Sequence, residues 1–335
     1  MTAFDPVLWP NLPQNNSFLR NLNDKSSMKK AKKEEIESLA IGGQAVIEGV
    51  MILAPTQYVI SVRKPNRSIK TKVTRLKFPH SKVKKLPFIR GSVTLVRMLR
   101  LGMKALVWSA NQVATKKEEK LSTKEMGATI FFSMLFAVGI FMALPYILTH
   151  WIGFREESKP ILFNLVDGII RIVFFVTYIW AISFMGDIKR MFQYHGAEHM
   201  AIHCHEHKKK LTVGNVAKFT TLHPRCGTAF LILVLLVSIL VFSVIPSLVN
   251  WLFPSFSGLN FWLRKLVLFL VRILFIPVVA GVSYELLKAS DRHKGNVIWR
   301  MISAPGLWLQ KITTQKPSRD QIEVAIASVK AALRK

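Results

Sequence analysis

The chain has 335 residues, half of them hydrophobic, and its 47 Lys and Arg far outnumber its 19 Asp and Glu. Apolar blocks beside strongly basic blocks favour an integral membrane protein with cationic cytoplasmic surfaces over a soluble globular enzyme. Cys204 and Cys226 are too few for a disulfide framework, which argues against a disulfide-stabilised secreted domain. The first twenty residues lack a basic start followed by an apolar core, so no cleavable signal peptide is expected.

The N-terminal part is predicted to contain a tail and a small cytosolic β-rich region. Residues 1–39 have the composition of a flexible tail, whereas residues 40–87 contain short strand-like runs. Runs such as those around Val50 and Tyr58 are separated by turn residues, for example Pro55. The simplest structure for this region is a small antiparallel sheet.

Residues 88–115 space their apolar side chains helically and place Arg97 and other cations opposite, which predicts an amphipathic or interfacial helix. The wider stretch between Gly49 and Lys117 has no acidic residue. Such a block could meet anionic lipid headgroups, nucleic acid or an anionic substrate. Beside membrane spans, the bilayer and its anionic headgroups are the expected partners. No nucleic-acid-binding motif is visible, and nucleic acid is not expected as a partner.

Residues 116–287 contain four apolar segments long enough to cross a bilayer. These segments are Gly127 to Trp151, Ile161 to Gly186, Thr228 to Phe253 and Phe261 to Tyr284. One such run could be a buried helix of a soluble core, but four together favour a membrane protein. The expected fold class is mainly α, with about four transmembrane helices, the small N-terminal β-containing region and a C-terminal cytosolic helix.

Loop charge predicts the orientation of these spans. Lysines and arginines cluster before the first span, between the second and third in the histidine-rich loop 187–227, and after the fourth. The other connections are nearly neutral, and Asn250 to Asn260 holds no charge. By the positive-inside rule, both termini and the histidine-rich loop face the cytosol. We therefore expect a multi-pass protein of the bacterial cytoplasmic (inner) membrane.

The C-terminal region, residues 288–335, is predicted to be cytosolic and to end in an amphipathic helix. Ser318 and Gln321 have the spacing of a capping box. One apolar stripe follows, which consists of Ile322, Ala325, Ile326, Val329 and Leu333. This stripe predicts packing against the cytosolic part of the protein.

Most of the nine histidines lie in the short charged segment from His195 to His223. On a helix, His195 and His199 stand one turn apart on the same face, with Glu198 beside them. The order His-x-x-Glu-His also occurs in inverted zinc peptidases, where two histidines bind zinc and the glutamate activates water. His223 and Cys226 add two further ligands of suitable type, and the expected cofactor is a divalent transition metal, zinc first.

The same residues allow other interpretations. His203 and His207 continue the helical stripe, but they adjoin a lysine run and could form a solvated helix end. Cys226 could be an inert buried side chain, or the nucleophile of a cysteine–histidine pair with Glu198 orienting the base. Three protein ligands would leave a metal position open for water, whereas four would close it.

Charged residues within the spans are a second functional signal, because an unpaired charge in lipid is costly. Asp167 and Arg171 have the spacing of a local ion pair. Arg272 has no obvious partner in its own span, and could pair with Asp167 or bind an anionic headgroup. Arg171, Arg272 and Arg225 are therefore candidates for substrate binding. Glu285 is placed to join the histidine site.

Four motifs also carry a family resemblance. In chain order they are Gly42-Gly-Gln-Ala-Val-Ile-Glu-Gly-Val-Met51, Tyr194-His-Gly-Ala-Glu-His199, Leu222-His-Pro-Arg-Cys-Gly-Thr228 and Pro305-Gly-Leu-Trp-Leu-Gln-Lys-Ile-Thr-Thr314. From about Leu39 to the C-terminus the chain resembles the YqhQ-like family, a bacterial membrane family of unknown function. The resemblance implies a metal-dependent enzyme and marks further motif positions, namely Gln44, Glu48, Arg90, Glu206 and Arg225. Met200 departs from the family's usual Lys but touches no expected ligand.

The leading hypothesis is a metal-dependent membrane enzyme of hydrolytic type, in which Glu198 would take a proton from metal-activated water. Its substrate would be anionic or lipid-linked, met at the cytosolic membrane surface, and the chain could form a homo-oligomer. Two alternatives stay open. One is a small membrane transporter or channel, and the other is a membrane scaffold with a structural metal.

Overall fold

The computed structural model describes residues 41–76, 86, 88–114, 123–156, 158–293 and 295–334. The fold is mainly helical with a small N-terminal antiparallel sheet. The strands are β1 (Gly42–Val46), β2 (Gly49–Leu53), β3 (Gln57–Arg63) and β4 (Ile69–Arg75). The helices are α1 (Ile89–Val113), α2 (Thr123–Val138), α3 (Leu144–Trp151), α4 (Pro160–Ile182), α5 (Gly186–Glu206), α6 (Val213–Val216), α7 (Gly227–Leu252), α8 (Phe261–Arg292), α9 (Val297–Thr313) and α10 (Arg319–Leu333). The predicted tail, residues 1–39, lies outside the described residues.

The predicted sheet is confirmed, with its strands in the order β1-β2-β3-β4 and every neighbouring pair antiparallel. Alternate residues of a strand face opposite sides of a sheet. Val50 and Ile52 therefore pack with α5 and α10, whereas Met51 packs on the other side with Leu101 and Ala105 of α1. Cover on both faces explains why β2 is almost continuously apolar.

The C-terminal helix α10 packs against both the sheet and α5. The predicted capping box between Ser318 and Gln321 is present, and the apolar stripe is buried except for Leu333, which is 37% exposed. The Gln57 side chain donates to the carbonyl of Ala332, at 3.0 Å, and so satisfies part of the helix's C-terminal end. The sequence pattern did not reveal this second cap, because Gln57 is distant along the chain.

Among the described residues, four helices are long and apolar enough to cross a membrane. They cover Gly127–Trp151, Pro160–Ile182, Gly227–Leu252 and Phe261–Arg292. The predicted segments are confirmed as helices, although the fourth continues well beyond Tyr284. The first contains a π-helical turn at Gly139–Ala143. In the most apolar stretch of each helix, at most a third of the residues are buried within the protein, which is compatible with a lipid-facing surface.

The histidine-rich segment 187–227, predicted as the connection between the second and third spans, begins with the regular helix α5, and the expected helical placement of His195 and His199 is therefore present. The helix is stabilised by packing, because Tyr194 and the residues that follow it are buried against the sheet and α10. The second half is irregular apart from the short helix α6. The ligand motif therefore lies on a rigid element.

Asp167, Arg171 and Arg272 have partners outside the histidine cluster. Arg171 contacts Asp167 at 2.7 Å, which confirms the local pair. Arg272 does not pair with Asp167; its guanidinium donates to Asn164 at 2.9 Å and to Glu156 at 3.3 Å. Glu156 lies in the connection between α3 and α4, at the end of the helices opposite α5. Arg171 and Arg272 are therefore separated from the histidine residues and do not contribute to one site with them.

Helix α9 packs closely on α7 and so brings its last turn to the histidines. At Gly306 the two backbones approach so closely that an added Cβ would lie 2.6 Å from the Cβ of Ala229. This approach places Gln310 and Thr313, at the end of α9, beside α5 and the start of α7. The contact between α7 and α9 therefore positions the candidate site.

We predict that Gly306→Leu destabilises the protein, because overpacking a helix contact typically costs about 1–3 kcal/mol. Thermal unfolding of the purified protein in detergent, followed by intrinsic fluorescence, should show a lower Tm. Gly139→Ala is the matched control, since a Cβ at this helical glycine meets nothing within 4 Å. An unchanged Tm in Gly306→Leu would contradict the close packing of α9 on α7.

Candidate metal centre

Three helices bring the candidate ligands together. His195, Glu198 and His199 lie on one turn of α5, and Cys226 is the N-cap residue of α7. The third element is α9, whose last residue, Thr313, contacts His195. The centre lies where α7, one of the four membrane-length helices, begins.

His195, His199 and Cys226 form a compact group of donor atoms. One donor atom from each lies within 4.8 Å of the others. The Nε2 atom of His195 is 3.1 Å from the Sγ atom of Cys226, and the two imidazole rings are 4.4 Å apart between centroids. Two imidazoles and a thiolate at this spacing are a suitable ligand set for zinc or a similar transition metal.

Backbone carbonyls fix the orientation of both imidazoles. The Nδ1 atom of His195 lies 2.8 Å from the Thr313 carbonyl oxygen, and that of His199 lies 2.5 Å from the Thr221 carbonyl oxygen. Because a carbonyl oxygen only accepts hydrogen bonds, both Nδ1 atoms carry protons. When the rings are neutral, both Nε2 atoms are left with lone pairs. Metal-binding histidines typically have this second hydrogen bond.

Glu198 adds a buried carboxylate without a complete set of partners. Its side chain is 3% exposed, and its Oε2 atom lies 4.0 Å from the Nε2 atom of His199. Within the described part of the chain, Oε2 has no hydrogen-bond partner. A buried carboxylate oxygen in this state is costly. A divalent cation nearby would satisfy it and would balance the charges of this carboxylate and of the Cys226 thiolate, so the residues fit such an ion.

Without a cation, the centre favours an imidazolium–thiolate pair. Burial lowers the pKa of His195, but the Cys226 thiolate and the Glu198 carboxylate raise it more, to a net value of about 9. Burial raises the pKa of the Cys226 thiol, but the charges of His195 and His199 lower it more, to well below its ordinary value. Burial raises the pKa of Glu198 although both histidines oppose this. A cation would therefore compete with the proton on His195.

A second group of donors adjoins the first. His223, which was expected to complete the first group, lies with His203 and Glu206, and their donor atoms are within 4.8 Å of one another. The ring of His223 is 4.6 Å from the ring of His203 and 5.6 Å from that of His199. His203 thus belongs to the histidine cluster. The alternative that it forms part of a solvated helix end, suggested by the adjoining lysines, does not describe its position. Burial and the nearby His223 lower the pKa of His203 to about 3, which keeps its ring neutral.

Gln310 holds the loop that carries His223 and Cys226. Its fully buried side-chain amide accepts from the His223 backbone N–H, at 2.8 Å, and donates to the His223 carbonyl, at 2.9 Å. Sequence reasoning missed this contact. The family motif from Pro305 to Thr314 singled out the segment, but only the packing of α9 shows what the side chain touches.

The other motif positions make packing contacts, hydrogen bonds or ion pairs. Their partners are Gly102 for Gln44, Arg190 and Tyr194 for Glu48, Glu285 for Arg90, and Glu206 and Asp291 for Arg225. Glu285 was expected at the histidine site but forms an ion pair with Arg90 instead. Of the three arginines considered for substrate binding, Arg225 is the one beside the histidines.

We predict that Gly196→Ala disrupts the centre. A Cβ at this position would lie 2.2 Å from the Gln315 carbonyl oxygen, so the backbone after α9 would have to move and take the Thr313 carbonyl away from His195. Zinc affinity, measured by competition with a chelating dye, should fall at least tenfold (about 1.4 kcal/mol). Gly186→Ala, at the start of the same helix with no neighbour within 4 Å, is the control. Equal affinity in both variants would contradict this packing.

We also predict that Cys226 is the reactive cysteine of the metal-free protein. Burial raises the pKa of the Cys204 thiol, whereas the neighbouring histidines lower that of Cys226, so Cys226 stays a thiolate to lower pH. Mass spectrometry after iodoacetamide treatment at pH 7 should show Cys226 modified roughly tenfold faster. Zn²⁺ should suppress this modification. If Zn²⁺ did not slow the alkylation of Cys226, this result would argue against its role as a ligand.

Comparison with known proteins identifies a family whose activity is not known. Residues 86–335 match the family described as "Protein of unknown function (DUF1385)". The chain is 33% identical over 316 residues to the uncharacterized protein YqhQ of Bacillus subtilis, a match that covers 88% of this chain and 92% of that protein. No solved structure matches the chain. The chain therefore belongs to the DUF1385 family of YqhQ-like proteins, whose function is unknown.

Proposed function

We propose that this protein is a metal-dependent membrane enzyme of hydrolytic type. The observation that carries the proposal is the group of His195, His199 and Cys226, beside which one carboxylate oxygen of Glu198 has no hydrogen-bond partner among the described residues. A thiolate and two imidazoles favour zinc among the common divalent metals. Three protein ligands leave a coordination position for water or substrate.

The protein residues would have distinct roles. A divalent cation supplies Lewis acidity, which makes a nearby water easier to deprotonate. His195, His199 and Cys226 hold the ion, while the Thr313 and Thr221 carbonyls keep the two rings oriented. Glu198 accepts the proton from water. Burial raises its pKa above that of an ordinary glutamate, which makes its carboxylate a stronger base.

The expected substrate is a molecule at the membrane surface. Cys226 directly precedes α7, one of the membrane-length helices, so the centre lies at the end of a span. The lysine-rich segments at this end support a cytosolic orientation in the bacterial inner membrane, with both termini cytosolic. The same charge would attract anionic or lipid-linked substrates. The Arg225 side chain, one third exposed beside His223, is the strongest candidate for binding them.

Burial favours a second candidate function, a structural metal site. His195, Glu198 and His199 are at most 9% exposed, and structural zinc sites are typically closed to solvent. In that case the ion would tie α5 to α7 without chemistry. The two functions differ in what they require of Glu198, because a purely structural site needs ligands but no base.

The substitution Glu198→Gln separates the two functions. For an enzyme, the metal content should be retained while function in cells falls by roughly a hundredfold or more, as expected for loss of a general base. Function is measured by complementation of a bacterium that lacks its own family member, and metal content by mass spectrometry of the purified protein. His199→Ala should lose both.

Glu323→Gln is the matched control, because Glu323 is a half-exposed carboxylate on α10 that pairs with Arg63. It should retain both metal and function. A Glu198→Gln variant that also keeps both would favour the structural site. A functional wild-type protein without stoichiometric metal would refute the metal proposal altogether.

A further inference from the structure

The second donor group has the composition of a metal site in its own right. His203 and Glu206 lie one turn apart at the end of α5, and His223 approaches them from the loop before α7. The Nε2 atom of His223 is 3.4 Å from the Oε2 atom of Glu206. Two imidazoles and a carboxylate are ligands that divalent transition metals accept.

The two groups form one continuous cluster. Ring centroids are 4.4 Å apart between His195 and His199, 5.6 Å between His199 and His223, and 4.6 Å between His223 and His203. Consecutive backbone carbonyls orient the two rings of α5 that border the loop, since Thr221 accepts from His199 and Leu222 accepts from His203, at 2.8 Å. The adjacent carbonyls of Thr221 and Leu222 thus orient one imidazole ring from each donor group.

We propose that His203, Glu206 and His223 bind a second divalent cation beside the first, so that the centre holds two ions. This inference rests on the proposed function, which it extends from a mononuclear to a binuclear centre. Paired cations can polarise two oxygens of one reacting group, as in phosphatases, nucleases and aminopeptidases. A binuclear centre would also use His203 and Glu206, which follow His195 and His199 on α5.

The local contacts allow a cation to enter this group. Arg225 pairs with Glu206 through the Oε1 atom, so Oε2 faces His223. Arg225 also approaches Asp291, at 3.8 Å, and these three side chains together carry a net negative charge. An ion on the Nε2 atom of His223 would require the ring proton on Nδ1, so it would replace both the hydrogen bond from the Arg225 backbone, at 3.2 Å, and the contact between Nε2 and Glu206, at 3.4 Å. Both contacts are long, and metal–ligand bonds to His223 and Glu206 would compensate for their loss.

The number of ions per chain tests this inference. The full-length protein, purified in detergent, is stripped with a chelator, equilibrated with Zn²⁺, separated from free metal and measured by mass spectrometry. The wild type should retain about two zinc ions. His203→Ala and Glu206→Gln should each retain about one, and that ion should still protect Cys226 from alkylation.

His207→Ala is the control, because His207 lies one turn beyond His203, with its ring against Phe219, and belongs to neither donor group. It should keep both ions. A wild-type protein with one ion, unaffected by His203→Ala, would overturn the second site and leave the first intact. A protein that binds no zinc would overturn both proposals. Because Glu206→Gln preserves the side-chain shape, it keeps the test decisive if His203→Ala does not fold.

Discussion

The need to balance buried negative charge governs the centre of this molecule. The Cys226 thiolate and the Glu198 carboxylate are both almost excluded from water, and an uncompensated ion in such a place is strongly unfavourable. In the metal-free protein the proton on His195 supplies part of the compensation, which is why the pKa of this histidine rises to about 9. A divalent cation would supply all of it. The surrounding contacts all serve to hold these groups together.

The support for the centre comes from distant parts of the chain. The sheet and α10 hold α5 in place, and Gly43 of β1 leaves room for the Glu198 carboxylate. Helix α9, packed on α7 through Gly306, supplies the carbonyl that orients His195 and the amide that fixes the loop of His223. The part of the fold that contains the sheet and the membrane-length helices therefore meet at the ligands. A shift of either part would change the ligand geometry.

Local patterns predicted much of this fold. The length of the apolar segments predicted the four membrane-length helices. Short strand-like runs between turn residues predicted the sheet, and the Ser318 capping box predicted the start of α10. The spacing of His195 and His199 predicted two neighbouring ligands because residues one helical turn apart share a face. These features depend on residues close in sequence, where geometry is set by the backbone alone.

The remaining contacts depend on tertiary packing, which spacing along the chain does not encode. Gln310 of α9 sets the position of His223. Arg272 of α8 pairs with Glu156, which lies in the loop between α3 and α4. The role of His203 could have been suspected from the continued stripe on α5. Its contact with Leu222, however, depends on how the loop folds back.

The most direct test of the central claim is zinc K-edge X-ray absorption of the full-length protein loaded with one equivalent of Zn²⁺. The structure predicts a first shell with nitrogen or oxygen at about 2.0 Å and one sulfur at about 2.3 Å. The sulfur should disappear in Cys226→Ser, since Cys204 belongs to neither donor group. A shell of oxygen and nitrogen alone in the wild type would contradict a metal centre built on His195, His199 and Cys226.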